Sequence, residues 1–259
     1  MTAQPAPLTT HAEPVMGTVF SFTAVHGDLP PDAVRAALAA ACRELHHSDA
    51  LFSTWDPGSP VSRFRRGEAA LGQMPPEFTE VMRECRAAKQ ASGGWFDPWA
   101  MPGGFDPTGL VKGWAAERAL AELRGAGLAG ALINGGGDVA AFGSPADGQR
   151  WRVGIRHPWR ADALACVIEV GQGPAAVATS GPYERGAHLI DPATGEPASR
   201  AASATVTGPS LALADALATG VAVGGDKALA VVAGLDGYAA YLIRPDGSET
   251  DTGGIAFVR

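Results

Sequence analysis

Hydrophobic residues recur at helical spacing in the first half of the chain. Over residues 32–55 the apolar positions fall mostly three or four apart, which predicts an amphipathic helix; they are Val34, Leu38, Cys42, Leu45 and Phe52. The same pattern predicts helices over residues 77–91 and 112–123. A looser alternation over residues 15–25 predicts one strand ahead of these helices.

Short apolar or alternating runs dominate the second half. They predict strands at 128–133, around Trp151, Val153 and Ile155, and at 165–170, 175–179, 187–190, 203–207, 238–243 and 255–258. Helices are expected at 210–223 and 226–233. Because helices concentrate early and strands late, the pattern predicts an α+β fold, with helices mainly in the N-terminal half and a strand-rich C-terminal half. Residues 1–13 are polar and Pro-rich, so we expect a mobile leader before a single domain over 14–259.

Charge and hydropathy exclude several classes of protein. The net charge is −7, with 27 acidic and 20 basic residues, so a basic face for nucleic acid is not expected. The sequence contains no secretion signal and no apolar run of about 18 residues, which predicts a cytoplasmic location without membrane insertion. No pattern indicates an oligomeric state.

The three cysteines, Cys42, Cys85 and Cys166, are far apart in the sequence. Because no Cys-x-x-Cys pair exists, we expect neither a disulfide framework nor a cysteine metal site. Buried apolar cysteines are the expected alternative.

A glycine-rich segment, Asn134-Gly135-Gly136-Gly137-Asp138, follows a predicted strand. A dinucleotide-binding fold would need a helix directly afterwards. Gly143-Ser144-Pro145 blocks such a helix, so that fold is excluded. A tight turn between two strands and a backbone loop that faces a ligand both remain consistent with the segment.

Two polar residues interrupt the apolar helix at 210–223. Asp215 and Thr219 are four residues apart and therefore share one helical face. Polar groups among apolar neighbours need partners, and a hard cation such as Mg²⁺ takes oxygen ligands of this type. An Asp paired with an arginine, beside a Thr bonded to its own helix, is the alternative.

Two further segments hold candidate chemistry. The start of the helix predicted at 112–123 is preceded by Asp106 and Gly109 and begins with Lys112. Backbone amides at a helix start suit anions. The alternative is that Lys112 is simply solvated. Residues 178–195 bring Ser, Tyr, Arg, His and Asp together. His188 is consistent with a base or with a residue that orients a turn, and Ser180 is not in a Gly-x-Ser-x-Gly elbow, which disfavours a serine hydrolase.

Taken together, these segments resemble the ApbE family of FAD:protein FMN transferases, in order and over most of the chain. The matching motifs are Met16-Gly17-Thr18, Phe52-Ser53-Thr54-Trp55 with 59–63, 93–97, Asp106-x-x-Gly109-x-x-Lys112-Gly113, Gly136-Gly137-Asp138, Thr179-Ser180-Gly181, His188-x-x-Asp191-Pro192 and Ala214-Asp215-Ala216-x-Ala218-Thr219.

The resemblance implies a set of site residues. It implies that FAD is bound by Met16, Trp55, Trp95, Phe96, Asp97, Asp106, Lys112 and Leu189. It implies that Mg²⁺ or Mn²⁺ is bound by the Gly109 carbonyl and by the Asp215 and Thr219 side chains. His188 is the candidate base, with a structural histidine at the Asp191-Pro192 turn as the alternative.

The activity that the resemblance implies is metal-dependent transfer of FMN from FAD to a Thr or Ser hydroxyl of an acceptor flavoprotein, with release of AMP. Metal-dependent hydrolysis of FAD to FMN and AMP is one alternative, and FAD binding without turnover is another. The chain departs from the family at residues 98–105, where a longer segment with further flavin contacts is usual.

Overall fold

The structure is a computed structural model that describes residues 7–145, 149–171, 175–182, 189–198 and 200–258. Six α-helices lie in these ranges: α1 Pro31–Phe52, α2 Pro60–Arg65, α3 Pro76–Ala91, α4 Thr108–Gly125, α5 Leu211–Gly224 and α6 Asp226–Val232. Each predicted helix is present, and all five apolar positions named for the first one are buried in α1. The short helix α2 was not predicted.

Ten strands lie in the same ranges: β1 Leu8–Val15, β2 Thr18–Val25, β3 Gly130–Gly135, β4 Asp138–Phe142, β5 Trp151–His157, β6 Arg160–Val170, β7 Ala175–Ser180, β8 Ser203–Gly208, β9 Ala239–Ile243 and β10 Glu249–Asp251. Eight of them form one sheet in the order β1-β2-β3-β4-β7-β8-β9-β10, and every neighbouring pair is antiparallel. Strands β5 and β6 form a separate two-stranded sheet. The predicted α+β class is confirmed.

Helices cover one face of the large sheet, and the β5–β6 hairpin packs on the other. Successive residues of a strand face these two layers in turn. In β4, Ala140 and Phe142 belong to the core shared with the helices, whereas Val139 and Ala141 pack with the β5–β6 hairpin. Side chains of a strand point alternately to opposite faces, so a strand buried on both faces reads as an apolar run rather than as an alternation.

The N-terminal residues form a hairpin, which corrects two expectations. Residues 8–13 lie in β1 and pair with β2 rather than forming a mobile leader. The strand expected at 15–25 is β2, which begins at Thr18 rather than at residue 15. Met16 and Gly17 form the connecting turn with φ of 55° and 69°. Two positive φ values are the signature of a tight turn that matches the twist of a hairpin. Met16 was not recognised as a turn residue because residues other than glycine rarely adopt positive φ.

The glycine-rich segment is the tight turn of the two alternatives. Gly136 and Gly137 have φ of 65° and 103° and join β3 to β4. The Asn134 side-chain oxygen accepts a hydrogen bond from the Gly137 amide at 2.8 Å. The turn therefore fixes Asp138 as the first residue of β4.

Two strand predictions need correction or fall outside the described ranges. Residues 255–258 were expected to form a strand, but Phe257 makes an isolated bridge to Ile168. The strand β10 at the sheet edge was not predicted. Of the strand expected at 187–190, residues 187 and 188 lie outside the described ranges, and Ile190 makes an isolated bridge to Pro197.

Helices α4 and α5 cross in close contact inside the molecule. A Cβ added at Gly113 would lie 2.6 Å from the backbone oxygen of Leu211, so the two helix backbones touch at this point. The Ser210 hydroxyl accepts a hydrogen bond from the Leu213 amide at the start of α5, and the Glu117 carboxylate of α4 accepts one from the Leu211 amide. No helix within the described ranges has the length and apolar character needed to cross a membrane.

Candidate active site

A cleft with about 800 Å³ of empty space, its open mouth included, lies where the loop before α4, the first turns of α4, the end of β7 and one face of α5 meet. Nine of the twelve residues predicted for the site line it: Trp95, Phe96, Asp97, Asp106, Gly109, Lys112, Leu189, Asp215 and Thr219. Residues that are more than a hundred positions apart in sequence therefore share one cleft.

Lys112 lies between two buried carboxylates at the base of the cleft. Its ammonium forms an ion pair with Asp138, and its Nζ is 3.9 Å from Oδ2 of Asp215. The Asp138 and Asp215 side chains are only 2% and 6% exposed. The Asp138 carboxylate also accepts a hydrogen bond from the Thr179 amide at 3.0 Å. One lysine and two carboxylates leave this trio with one negative charge, which a bound cation would complement.

Two hydroxyl groups lie close together at the predicted metal position. Thr219 Oγ1 is 3.4 Å from the Ser180 hydroxyl, and a Cβ added at Gly109 would lie 3.4 Å from the same Thr219 oxygen. Gly109 thus brings its backbone against the α5 face that holds Asp215 and Thr219. A carboxylate, hydroxyls and a backbone segment form the all-oxygen donor set that Mg²⁺ and Mn²⁺ prefer, so the residues present fit the metal.

The start of α4 faces the cleft and is held there by a carboxylate and an arginine. Oδ1 of Asp106 accepts a hydrogen bond from the Thr108 amide at 3.0 Å, in the first turn of the helix. Oδ2 of Asp106 pairs with Arg65 at 3.0 Å. Arg65 also donates to the backbone oxygens of Pro102 and Gly103. The segment 98–105 is therefore tied to α2 through Arg65.

Two aromatic side chains form one wall of the cleft. Trp95 packs directly on α5, since a Cβ added at Gly224 would lie 2.6 Å from its Cδ2. The Arg200 guanidinium lies 5.6 Å from the centre of the Trp95 ring. The Phe96 amide donates to the Ser92 hydroxyl at 3.1 Å. The next residue, Asp97, pairs with Lys89 of α3 at 2.6 Å.

Three predicted site residues are not among those lining the cleft. Met16 lies in the β1–β2 turn and is partly buried against the main core. Trp55 is 93% exposed, after the end of α1. Ser59 caps α2 and donates to the Ser53 backbone oxygen at 2.6 Å, which fixes the ends of the loop that carries Trp55. His188 lies outside the described residues.

Several residues of the site were not predicted. Asp138 and Ser180 stand in motifs that were recognised, so the motifs held a signal for them. No sequence motif indicated Arg65 or Arg200. The contacts of Arg65 depend on how α2 packs, and those of Arg200 on how the segment before β8 packs. Arg200 donates to the Val223 backbone oxygen at 2.7 Å and lies 3.4 Å from the Asp191 carboxylate.

One protein-family model matches most of the chain. The model of the ApbE family matches residues 16–103 and 101–242. The chain belongs to the ApbE family. Among its relatives in the ApbE family, the FAD:protein FMN transferase of Rhodobacter capsulatus is 30% identical over 247 residues, which are 91% of this chain and 39% of the relative. That of Vibrio cholerae is 34% identical over 131 residues, or 47% of this chain and 39% of the relative. The chain spans about two fifths of the length of these curated relatives.

Solved ApbE structures share the fold. The flavin transferase ApbE from Vibrio cholerae aligns with a TM-score of 0.80 at 21% identity and covers 97% of this chain and 98% of its own. The flavinyl transferase ApbE from Pseudomonas stutzeri, in its apo form, aligns with a TM-score of 0.80 at 23% identity, over 100% and 96% of the two chains.

Proposed function

We propose that this ApbE protein transfers FMN from FAD to a Thr or Ser hydroxyl of an acceptor flavoprotein and releases AMP, with Mg²⁺ or Mn²⁺ bound. The observation that supports the proposal is the single cleft in which Lys112, Asp215, Thr219 and the first turn of α4 meet beside Trp95 and Phe96. Positive groups and an aromatic wall in one cleft suit a ligand with a pyrophosphate and a flavin.

The pyrophosphate of FAD would lie at the start of α4. Thr108 and Gly109, at the start of an 18-residue helix, line the cleft, and helix N-termini favour anions. The Lys112 ammonium would add a second positive contact. Both groups would stabilise negative charge that builds on the phosphoryl oxygens during transfer.

Gly109, Asp215 and Thr219 would hold the metal ion. When bound there, the ion would polarise the phosphorus on the FMN side and offset the charge on the departing AMP. The Lys112 ammonium lies between the Asp138 and Asp215 carboxylates and so opposes the charge of both. Trp95, Phe96, Leu189, Met16 and Trp55 would contact the nucleotide and flavin, and Asp97 and Asp106 would fix the loop between them.

In the transfer step, the acceptor hydroxyl oxygen bonds to the FMN-side phosphorus. The bond from that phosphorus to the bridging oxygen breaks, and the electron pair leaves with AMP. The hydroxyl proton must pass to a base. We propose His188 for this role; the competing role is that of a histidine that shapes the turn at Asp191-Pro192.

One incubation separates this function from the two alternatives. The protein, FAD and Mg²⁺ are incubated with and without a candidate acceptor flavoprotein. The released AMP and the intact mass of the acceptor are then measured. Transfer predicts AMP together with one FMN on the acceptor. AMP without an acceptor would instead indicate FAD hydrolysis. Tight FAD binding with no AMP and no modified acceptor would contradict the proposal and indicate a binding protein.

The Asp215→Ala variant tests the metal assignment. Loss of this carboxylate should lower metal-dependent release of AMP by at least ~100-fold, the scale of removing one charge-stabilising group from an active site. Asp226→Ala is the matched control, because Asp226 lies at the exposed start of α6 and pairs with Arg244. Full activity of Asp215→Ala, measured across Mg²⁺ concentrations, would rule out the assignment.

A further inference from the structure

A second cluster of metal-ligating side chains lies between β1 and α1, in a part of the fold that the transferase site does not use. It consists of His11, Glu13 and Cys42, whose ligand atoms all lie within 4.8 Å of one another. His46 joins it, with Nε2 2.7 Å from Oε1 of Glu13. Among the described residues this is the one group of three His, Cys, Asp or Glu ligands that close together.

The two elements present these residues by their regular geometry. His11 and Glu13 are two apart in β1 and therefore point to the same face. Their register partners in β2 are Phe22 and Phe20, both in the core that the helices cover. Cys42 and His46 are four apart in α1 and share one helical face. The strand and the helix thus each contribute two side chains to one small volume.

The geometry is close to that of a bound ion. Nε2 of His11 is 3.2 Å from Oε2 of Glu13. Tetrahedral zinc, with bonds of about 2.0 to 2.3 Å, holds its ligand atoms roughly 3.3 to 3.8 Å apart. Side-chain rotation that shortens the longest ligand–ligand distance by about an ångström would bring the three ligand atoms to this spacing.

We propose that His11, Glu13 and Cys42 bind one transition-metal ion of the zinc type, which links β1 to α1. A set of imidazole nitrogen, thiolate sulfur and carboxylate oxygen suits Zn²⁺ or Co²⁺ and disfavours Mg²⁺, which takes oxygen ligands. His46, on the other oxygen of Glu13, positions that carboxylate, as hydrogen-bonded neighbours of metal ligands commonly do.

Burial and charge are consistent with entry of the ion from one side. The His11 side chain is 41% exposed, whereas Cys42 is 8% exposed and closes the inner side. Hydrogen bonds from His46 and His11 lower the pKa of the Glu13 carboxyl. Burial, with a smaller contribution from Glu13, raises the pKa of the Cys42 thiol to about 11. Binding would therefore release the thiol proton to solvent.

The sequence did not predict this site because its ligands have no motif spacing. Cysteine metal sites are recognised from Cys-x-x-Cys pairs, and Cys42 has no cysteine neighbour. The site needs the pairing of β1, which was expected to be a mobile leader. A bound ion would hold the edge strand β1 against α1, directly before the turn at Met16.

Cobalt spectroscopy tests the proposal. Metal-free protein, with saturating Mg²⁺ present to occupy the cleft, is titrated with Co²⁺. We expect one Co²⁺ per chain and the near-ultraviolet charge-transfer absorption that a thiolate ligand gives, removed by one equivalent of Zn²⁺. Cys42→Ser should abolish the absorption, and His11→Ala should weaken Zn²⁺ binding by at least tenfold.

Controls distinguish ligands from other residues of the same types. Cys166→Ser and His47→Ala should keep the signal; Cys166 lies in β6, and His47 is the neighbour of His46 but contacts Glu77. Asp215→Ala should also keep it, which separates this site from the transferase site. Because His11 is exposed, its variant should fold even if Cys42→Ser does not, and thermal melts check both.

The stability readout is independent of activity. Zn²⁺ at a hundred times its Kd should raise the Tm of the wild-type protein by about 5 to 10 °C, and that of His11→Ala by much less. The proposal is wrong if no thiolate-to-cobalt absorption appears, if it persists in Cys42→Ser, or if Zn²⁺ raises both Tm values equally. In those cases the cluster is a hydrogen-bonded polar group without a metal.

Discussion

At the scale of single residues, Trp55 and Trp95 are both expected flavin contacts, but the fold holds them differently. Trp95 is wedged between Gly224 and Arg200. Trp55 is 93% exposed and has almost no packing to lose. A side chain this exposed contributes little to the free energy of unfolding, so an effect of its removal on FAD binding would report the ligand contact alone.

We expect Trp55→Ala to raise the Kd for FAD by about two- to tenfold and to leave Tm unchanged. Stacking of an aromatic ring on another contributes about 0.5 to 1.5 kcal/mol, and 1.4 kcal/mol corresponds to a factor of ten. FAD fluorescence titration and a thermal melt measure the two quantities. Trp159→Ala, 54% exposed between β5 and β6, is the control. An unchanged Kd in Trp55→Ala would remove Trp55 from the site.

The same contrast shows which site residues a sequence can predict. Asp215 and Thr219 share a helical face by their spacing alone, so periodicity placed them together correctly. Lys112 reaches them from another helix, and its contact with Asp138 depends on a turn between β3 and β4. Family motifs supplied that link for Lys112. Arg65 has no motif, and its role depends on the packing of α2 against the loop before α4.

At the scale of elements, the crossing of α4 and α5 sets the distance between Lys112 and Asp215. Gly113 allows the crossing because the space that its Cβ would fill is occupied by backbone atoms of Leu211 and Ala212. Backbone atoms cannot turn aside as a flexible side chain can. A larger residue would therefore force the two helices apart.

Overpacking a core usually costs about 1 to 3 kcal/mol, and alanine normally brings a gain of about 1 kcal/mol to a helix. We therefore expect Gly113→Ala to lower the free energy of unfolding by up to about 2 kcal/mol. The Mg²⁺ concentration needed for AMP release should also rise. Urea unfolding and a Mg²⁺ titration measure these effects. Gly125→Ala, where a Cβ would meet nothing within 4 Å, is the control; equal losses in both variants would contradict the crossing argument.

Glu117 makes the stability of the α4–α5 contact depend on pH. Burial raises the pKa of this carboxyl, and hydrogen bonds from the start of α5 oppose the shift without cancelling it. A raised folded pKa gives stability that is complete below the unfolded pKa of about 4.3 and is lost as pH rises through the folded pKa. The ionised carboxylate therefore costs free energy at neutral pH.

Glu117→Gln should remove this pH dependence. The amide oxygen can still accept a hydrogen bond from the Leu211 amide, but the side chain no longer ionises. We expect the free energy of unfolding of the variant, relative to wild type, to increase between pH 4 and pH 7. Urea unfolding of both proteins at several pH values measures the difference. A difference that stays constant with pH would contradict a raised pKa for Glu117.

Elements with strong periodicity were predicted well, and those that depend on special backbone geometry were not. The helix α1 follows from its apolar spacing. The β1–β2 hairpin was missed because its turn places Met16 at positive φ, which the residue type does not indicate. The strand β4 was missed because five buried residues on both faces give no alternation. Residues 255–258 look like a strand but reach only one bridge, to Ile168.

At the scale of the whole molecule, the cleft joins the helical and the strand-rich halves of the sequence. Trp95, Asp106 and Lys112 come from the first half, and Thr179, Leu189 and Asp215 from the second. A ligand that contacts both sides adds free energy to the folded state only. FAD and the metal should therefore stabilise the molecule as a pair, because the proposed ion and pyrophosphate occupy adjoining positions.

We expect Tm to rise more with FAD and Mg²⁺ together than the sum of their separate effects. A ligand at a hundred times its Kd adds about 2.7 kcal/mol, or about 5 to 10 °C for a protein of this size. If Mg²⁺ tightens FAD binding tenfold, the pair adds about 1.4 kcal/mol more. In Asp215→Ala, the shift caused by FAD should no longer depend on Mg²⁺. Additive shifts in the wild-type protein would mean that metal and FAD do not meet in the cleft. That result would count against the metal site of Gly109, Asp215 and Thr219, even if FAD alone binds tightly.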